Sequence, residues 1–474
     1  MRRYFFYMVL LLTFFYGTCP CMAREETLDF GRFGNTTLYR QSDHPSHVVI
    51  FVSGDGGWNL GVVDMAKKLS TLNALVVGID IVHYLKQLEN SSEKCSYPAS
   101  DFEDLSKYVQ KKLDFPRYIQ PVLMGYSSGA TLVYAVLAQA PANTFQGAVS
   151  LGFCPDLPLL KPLCRGSGLE WEKGPNGKGY IFLPAKKLQA PWIVFQGTID
   201  QVCNADLAQA YVKQVNGGRI VLLPKVGHGF SVSGNWMPQF TQAFRRLAEN
   251  RQVAQMSSPG NLADLPLVEL PAKESGISSM AVILSGDGGW AGIDREIGNI
   301  LAENGVAVVG LNSLTYFWKE RTPEEAAKDL ERILKHYLAL WKKENAVLAG
   351  YSLGADVLPF LAARLPGEIL AKVRLIALLG PGTHADFAFH LTDWLGGASK
   401  TARPVLPEVE QLRKMGVRIL CFYGEQETES LCNKLDPNLA RVVSIKGAHH
   451  FGGNYIKIAE TILKEIRRTK HYYF

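Results

Sequence analysis

A chain of 474 residues that is 47% hydrophobic and 20% charged is too apolar to be disordered and too long for one ordinary core, so it suits two domains of about 200 to 230 residues each. The formal charge of +6 is modest, and no dense basic stripe interleaved with aromatics occurs, which argues against a nucleic-acid partner. No C-x-x-C or H-x-x-x-H pair occurs either, so a structural zinc site is not expected.

The chain opens with Met1-Arg2-Arg3, an apolar run from Tyr4 to Tyr16, and Cys21-Met22-Ala23 ending on a small residue. That order predicts a signal peptide over residues 1–23, cleaved before Arg24; the apolar run is short for a membrane span. Export follows, and with it an oxidising compartment. Six cysteines remain beyond the signal: Cys95, Cys154, Cys164, Cys203, Cys421 and Cys432. An even number favours disulfides, and the simplest pairing is Cys154 with Cys164, Cys421 with Cys432, and Cys95 with Cys203.

Internal repetition sets the domain plan. Ser53-Gly-Asp-Gly-Gly-Trp58 recurs letter for letter as Ser285-Gly-Asp-Gly-Gly-Trp290, each after an apolar strand. A second buried strand follows in each half, Ala74 to Asp80 and Val306 to Asn312. Next come a loop, a long amphipathic helix and a strand entering a serine turn. Beyond the serine the halves again match: Gly147 to Gly152 with Leu375 to Gly380, Trp192 to Gly197 with Ile419 to Gly424, and Ile220 to His228 with Val442 to His449. Strands apolar on both faces and alternating with helical patterns imply a parallel sheet covered by helices. The expected fold class is therefore α/β, as two tandem α/β-hydrolase-like domains over residues 24–252 and 263–474, joined by a linker at 253–262 that contains Ser-Ser-Pro-Gly. Residues 155–187, rich in Pro, Gly and Lys, read as an insertion in the first half, a lid or a domain contact. The basic stretch Lys464 to Lys470 reads as a solvated helix end.

The serine turns carry the chemistry. Gly125-Tyr-Ser127-Ser-Gly129 and Gly350-Tyr-Ser352-Leu-Gly354 are both G-x-S-x-G, in which flanking glycines let a strained strand-to-helix turn expose the serine hydroxyl. In this fold the triad runs Ser, acid, His along the chain. That order selects Ser127, Asp200 and His228 in the first half. In the second it selects Ser352, an acid among Glu425, Glu427 and Glu429, and His449 or its neighbour His450. Alignment on Gly197 and Gly424 sets Glu427 opposite Asp200, and alignment on the final strand favours His449. The imidazole takes the serine proton and the carboxylate orients the imidazole. Backbone N–H groups of Leu353 with Gly286 or Asp287, and of Ser128 with Gly54 or Asp55, are the expected oxyanion holes. The hexapeptide lacks the Lys-Ser or Lys-Thr of a P-loop, and ester hydrolysis of this kind needs no metal or cofactor. Candidate substrate-binding residues are Asp356, one turn beyond Ser352, and Tyr316 and Trp318 near the carboxyl edge of the sheet; helix pairing and core packing are the structural alternatives for them.

The second half resembles the exported virulence-associated proteins VirJ and AcvB. The matching phrases are Ser285 to Trp290, Leu314-Thr-Tyr-Phe-Trp318, Tyr351-Ser-Leu-Gly-Ala-Asp-Val-Leu-Pro-Phe360, Ala385-Asp-Phe387, Tyr423-Gly-Glu425 and His449-His-Phe-Gly-Gly-Asn-Tyr455. The two-domain layout resembles the longer AcvB type. The stretch after the paired histidines, with Gly452 and Asn454, is less acidic than that pattern leads one to expect. The resemblance implies a periplasmic serine hydrolase that removes the amino acid from aminoacylated phosphatidylglycerol, typically the lysyl lipid. It also implies peripheral contact with the outer leaflet of the inner membrane and links to type IV secretion components and virulence. It favours Ser352 as the working nucleophile, although the first half has the simpler triad. A general esterase or peptidase acting through Ser127, and a non-catalytic adaptor of a secretion machine, are the competing readings.

Overall fold

The computed structural model describes residues 24–255, 262–273, 276–389 and 401–468. The expected signal peptide lies outside them, as does most of the expected linker and the last part of the basic stretch.

The first half supplies the strands β1 (Arg24–Phe30), β2 (Gly34–Arg40), β3 (His47–Val52), β4 (Ala74–Ile79), β5 (Val122–Tyr126), β6 (Gly147–Leu151), β7 (Asp156–Leu157), β8 (Trp171–Lys173), β9 (Tyr180–Phe182), β10 (Trp192–Gly197) and β11 (Gly218–Leu223). Its helices are α1 (Leu60–Ser70), α2 (Ile81–Glu89), α3 (Pro98–Lys112), α4 (Ser128–Gln139), α5 (Ala205–Val212) and α6 (Met237–Gln255). The second half continues with β12 (Leu267–Leu270), β13 (Ser279–Leu284), β14 (Val308–Leu311), β15 (Asn345–Tyr351), β16 (Val373–Leu379), β17 (His384–Ala385), β18 (Arg403–Pro404), β19 (Ile419–Gly424) and β20 (Arg441–Ile445). Its helices are α7 (Gly292–Glu303), α8 (Ser313–Tyr316), α9 (Pro323–Leu340), α10 (Leu353–Ala363), α11 (Gly367–Leu370), α12 (Leu406–Lys414) and α13 (Tyr455–Arg467).

Two large sheets result, in the orders β1-β2-β4-β3-β5-β6-β10-β11 and β12-β14-β13-β15-β16-β19-β20. From β4 and β14 onward every pairing is parallel, and the strands before them pair antiparallel. Strands such as β4, buried at every position, are apolar throughout because helices cover both faces. Among the described residues no helix is long and apolar enough to cross a membrane.

Local chemistry places the helices. α9 starts on a capping box in which Thr322 and Glu325 serve each other's backbone N–H, with Pro323 in the first turn. Asp80 caps α2 by accepting from Val82 N at 2.8 Å and His83 N at 3.2 Å. The repeated hexapeptide is also explained structurally. Ser53 Oγ accepts from Ile81 N and Ser285 Oγ from Ser313 N, tying the loop after the first strand to the loop after the second. Trp58 lies on Gly78, and Trp290 on Gly310, where a Cβ would stand 2.1 and 2.3 Å from the indole.

The disulfides correct two of the three expected pairings. The bonds are Cys95–Cys164, Cys154–Cys203 and Cys421–Cys432; only the last follows nearest-neighbour pairing. Cys164 N donates to Ser96 O beside Cys95, so the 155–187 insertion is tied to the loop before α3. Cys154 and Cys203 follow the carboxyl ends of the adjacent strands β6 and β10, which the chain separation conceals. The insertion forms the three-stranded sheet β7-β9-β8 and buries Leu157, Leu163, Leu169 and Phe182 in the core of the first half. Packing, rather than a free lid, is its role here.

The serine turns depend on steric clearance: a Cβ on Gly129 would stand 2.3 Å from Ser53 O, and one on Gly354 would stand 2.2 Å from Leu284 O. Gly354→Ala is therefore expected to destabilise the protein by about 2–4 kcal/mol, seen as a lowered unfolding midpoint in denaturant. An unchanged midpoint would show that the helix can shift away from β13.

Candidate active site

Both serines sit on the turn that leaves the central strand. Ser127 has φ 55 and ψ −122, and Ser352 has φ 51 and ψ −121, a left-handed strain that non-glycine residues rarely bear. Each serine N–H is held by a neighbouring strand end, Leu151 O or Leu379 O, at 2.9 Å. The next residue opens a helix, so its N–H has no helical partner and faces the carboxyl edge of the sheet.

In the first half a continuous relay forms. His228 Nε2 lies 2.9 Å from Ser127 Oγ, and His228 Nδ1 lies 2.8 Å from Asp200 Oδ2. Asp200 is held in turn: Val202 N and Cys203 N donate to Oδ1 at 2.9 Å, and Gln196 Nε2 donates to Oδ2 at 3.1 Å. The histidine side chain is only 16% exposed.

The second half brings together Glu427 and His449, at 2.5 Å between Oε1 and Nδ1. Glu427 Oε2 accepts from Gly424 N at 2.6 Å, and His449 rather than His450 meets the acid. His450 Nδ1 bonds Tyr351 OH at 2.9 Å, and burial followed by the neighbouring His449 lowers its pKa. Glu425 follows β19 as an exposed residue, and Glu429 pairs with Lys434. Among the described residues no hydrogen bond joins His449 to Ser352, and the His449 side chain is 40% exposed. Such a contact often tightens only when substrate is bound.

The loops expected to carry the oxyanion holes face the serine turns. A Cβ on Gly54 would stand 3.0 Å from Ser127 Cβ, and one on Gly286 would stand 3.5 Å from Ser352 Cβ. Asp55 Oδ1 accepts from Ser128 Oγ at 2.5 Å; in the second half Asp287 and Leu353 occupy these positions. Asp356 is half-buried and accepts from Gly382 N at 2.6 Å. Burial pushes its carboxyl up to about 8, against that bond and with a further push from Asp287.

Tyr316 and Trp318 are not groove residues, and their assignment to substrate is corrected. Tyr316 OH donates to Asp329 at 2.7 Å, with Arg321 over its ring. Trp318 packs with Tyr118, Leu314 and Phe389, donates from Nε1 to Phe115 O at 2.8 Å and accepts at its carbonyl from Lys111 Nζ. It joins the halves; α3 lies close enough for Asp287 to raise the carboxyl of Asp104, which burial chiefly pushes to about 7.

Sequence reasoning missed three supports. Gly152 and Gly380 close the strands after the serine helices with φ +65 and +58, and a Cβ there would stand 3.2 and 2.9 Å from the Cε1 of His228 and His449. Their matched places in the repeat were the available signal. Gln196 anchors Asp200, and only its burial within a strand could have hinted at it. Among the described residues no group of three His, Cys, Asp or Glu side chains is placed to hold a metal.

The strand order, the strained serine after the central strand, and an acid and histidine on later loops define a protein built from two α/β-hydrolase-type domains. The family model described as bacterial virulence protein (VirJ) matches residues 46–152 and 278–470. That is more than half of the chain, which therefore belongs to the VirJ family. Among curated proteins no relative matches the sequence. Similar solved structures include the esterase domain of a Rhodothermus marinus protein, 14% identical over 47% of this chain and 98% of its own, with a TM-score of 0.32. A dienelactone hydrolase from Anabaena variabilis is 18% identical over 47% and 96%, with a TM-score of 0.34. An alpha-beta serine hydrolase homologue from Coxiella burnetii is 15% identical over 48% and 96%, with a TM-score of 0.30.

The raised pKa of Asp356 has a consequence for stability. A carboxyl raised on folding keeps its proton in the native state where the unfolded chain has released it. Its contribution is complete below about pH 4 and is lost as pH rises through about 8. Asp356→Asn, whose side-chain oxygen can still accept from Gly382 N, is expected to match the parent in melting temperature at pH 4 and to exceed it at pH 9. An equal difference at both pH values would remove Asp356 from the linkage.

Proposed function

We propose that this chain is an exported, periplasmic serine ester hydrolase that removes the amino acid from aminoacylated phosphatidylglycerol, with the lysyl lipid as its substrate and Ser352 as the principal nucleophile. The observation that carries the chemistry is the Glu427–His449 pair behind a strained serine turn. Ser352 Oγ attacks the ester carbonyl while His449 takes its proton, and Leu353 N–H with the Gly286–Asp287 loop serves the oxyanion. The glycerol oxygen leaves with the proton from His449. Water, deprotonated by the same histidine, then releases the amino acid and restores the serine.

The cationic side chain of the lysyl group is met by Asp287 and Asp356. A cation entering the pocket favours the ionised form of Asp356, so binding releases a proton near neutral pH. The first half lacks this pair, since Thr131 stands where the second half has Asp356. Three disulfides support folding in an oxidising compartment, and a lipid substrate requires peripheral contact with the outer leaflet of the inner membrane. A link to type IV secretion components is carried by the family resemblance alone.

A second reading is favoured by one observation, the complete Ser127–His228–Asp200 relay, which suits a general esterase or peptidase. Lysine release from lysyl-phosphatidylglycerol distinguishes the two. Ser352→Ala is expected to lower it at least about 1000-fold and Ser127→Ala to leave it within about twofold. The reverse pattern would move the activity to the first half, and no labelling of either serine by a fluorophosphonate would leave the adaptor reading. Neutralising Asp287 and Asp356 together is expected to reduce the preference for lysyl over alanyl lipid by about tenfold; an unchanged preference would sink their role.

A further inference from the structure

The two halves differ in what surrounds the serine. Single exposed apolar side chains are ordinary, but a contiguous set marks an interaction surface. In the first half Leu60, Val82, Ile199, Val202, Leu207 and Val232 are 53–83% exposed. All six occupy the ends of segments that leave the carboxyl edge of the sheet. Leu60 and Val82 open α1 and α2, Ile199 and Val202 flank Asp200, Leu207 is in the first turn of α5, and Val232 follows His228. This is the edge at which Ser127 stands.

The second half is an internal control. Gly292, Gln426, Glu429 and Gly453 occupy the places of Leu60, Ile199, Val202 and Val232, while Leu314, in the place of Val82, is buried against Trp318. Its exposed large apolar residues lie elsewhere for the most part. Leu340 and Met415 end helices that lead into the amino edge, and Val442 lies on the outermost strand; among the described residues only Ile456 is near the carboxyl edge. Among the described residues, one fold thus carries an apolar rim around one serine and a largely polar rim around the other.

We propose that Ser127 is a second esterase site that works at an anionic lipid interface, on acyl esters carried by that interface. The proposal rests on the reading of Ser127 as a nucleophile. The rim surrounds an assembled relay, so its occupant must present the bond to be cleaved as well as apolar surface, and a lipid layer does both. Charge points the same way. A groove of about 1000 Å³ opens beside Gly229 and Ser231, next to His228, and extends between α1 and α6. Its walls include Lys68, Arg245 and Arg246, none of which pairs with an acid among the described residues, against one lining acid, Asp64. In the reaction Ser127 Oγ bonds the acyl carbonyl carbon, the ester C–O bond breaks, and the alcohol leaves with the proton held by His228. Water then releases the fatty acid and returns the proton to Ser127.

The test uses Ser352→Ala protein, in which the proposed lysyl-lipid site is silent. Hydrolysis of p-nitrophenyl palmitate in phosphatidylglycerol vesicles is compared with that of soluble p-nitrophenyl acetate, and binding to the same vesicles is read by flotation. Adding Leu60→Ser, Val82→Ser and Leu207→Ser is expected to lower the vesicle-to-soluble rate ratio about tenfold and to weaken flotation in parallel. An unchanged ratio and unchanged flotation overturn the proposal, as does a change in oligomeric state with flotation intact, which would make the rim a contact between chains. Loss of flotation in a protein whose Ser127 is not labelled by fluorophosphonate overturns the esterase step. It would do so without bearing on Ser352, whose activity is measured separately on lysyl lipid.

Discussion

Everything in this molecule depends on the close approach of each serine helix to the first parallel strand of its domain. The second glycine of the motif leaves no room for a side chain, since a Cβ on Gly354 would stand 2.2 Å from Leu284 O and one on Gly129 would stand 2.3 Å from Ser53 O. That approach forces the chain through a sharp turn, and the serine absorbs it with a positive φ. The hydroxyl is then presented at the carboxyl edge, where the loops from four neighbouring strands converge. A parallel sheet is required, because only parallel crossovers deliver all those loops to one edge.

The acid loops are fastened more firmly than the nucleophile requires by itself. Cys154–Cys203 ties the end of β6 to the residue whose N–H supports Asp200, and Cys421–Cys432 ties β19 to the turn after Glu427. Restricting such loops lowers the freedom of the carboxylate and so of the histidine it orients. The halves diverged around this shared frame. The first has a short aspartate, a well-covered histidine and a closed relay; the second has a longer glutamate, a more open histidine and an additional acid at Asp356, where the first half has Thr131. The resulting difference is electrostatic as well as steric.

Trp318 shows how one residue can serve the whole chain. It stacks on Phe389 and donates to Phe115 O, so the loop after β14 in the second half is braced by the first half. The same contact brings α3, with Asp104 and the buried Lys107 paired to Glu103, near Asp287. Burial of carboxyls beside one another raises their proton affinity. The electrostatics of the second site therefore belong to both halves.

The sequence by itself determined the repeat, the α/β class, the order of the parallel strands along the chain and the two serine turns, and it favoured Glu427 and His449 among open alternatives. These follow from local rules: apolar strands, glycines at fixed offsets, and an acid and a histidine at matched places in two copies. It did not determine the pairing of Cys154 with Cys203, the place of Trp318 between the halves, the anchoring of Asp200 by Gln196, or the raised carboxyl of Asp356. Each of those depends on which strand ends and surfaces come together across long stretches of chain, and on how far water is excluded once they do. Only the tertiary structure decides that, because adjacency and desolvation are properties of the packed fold rather than of residue order.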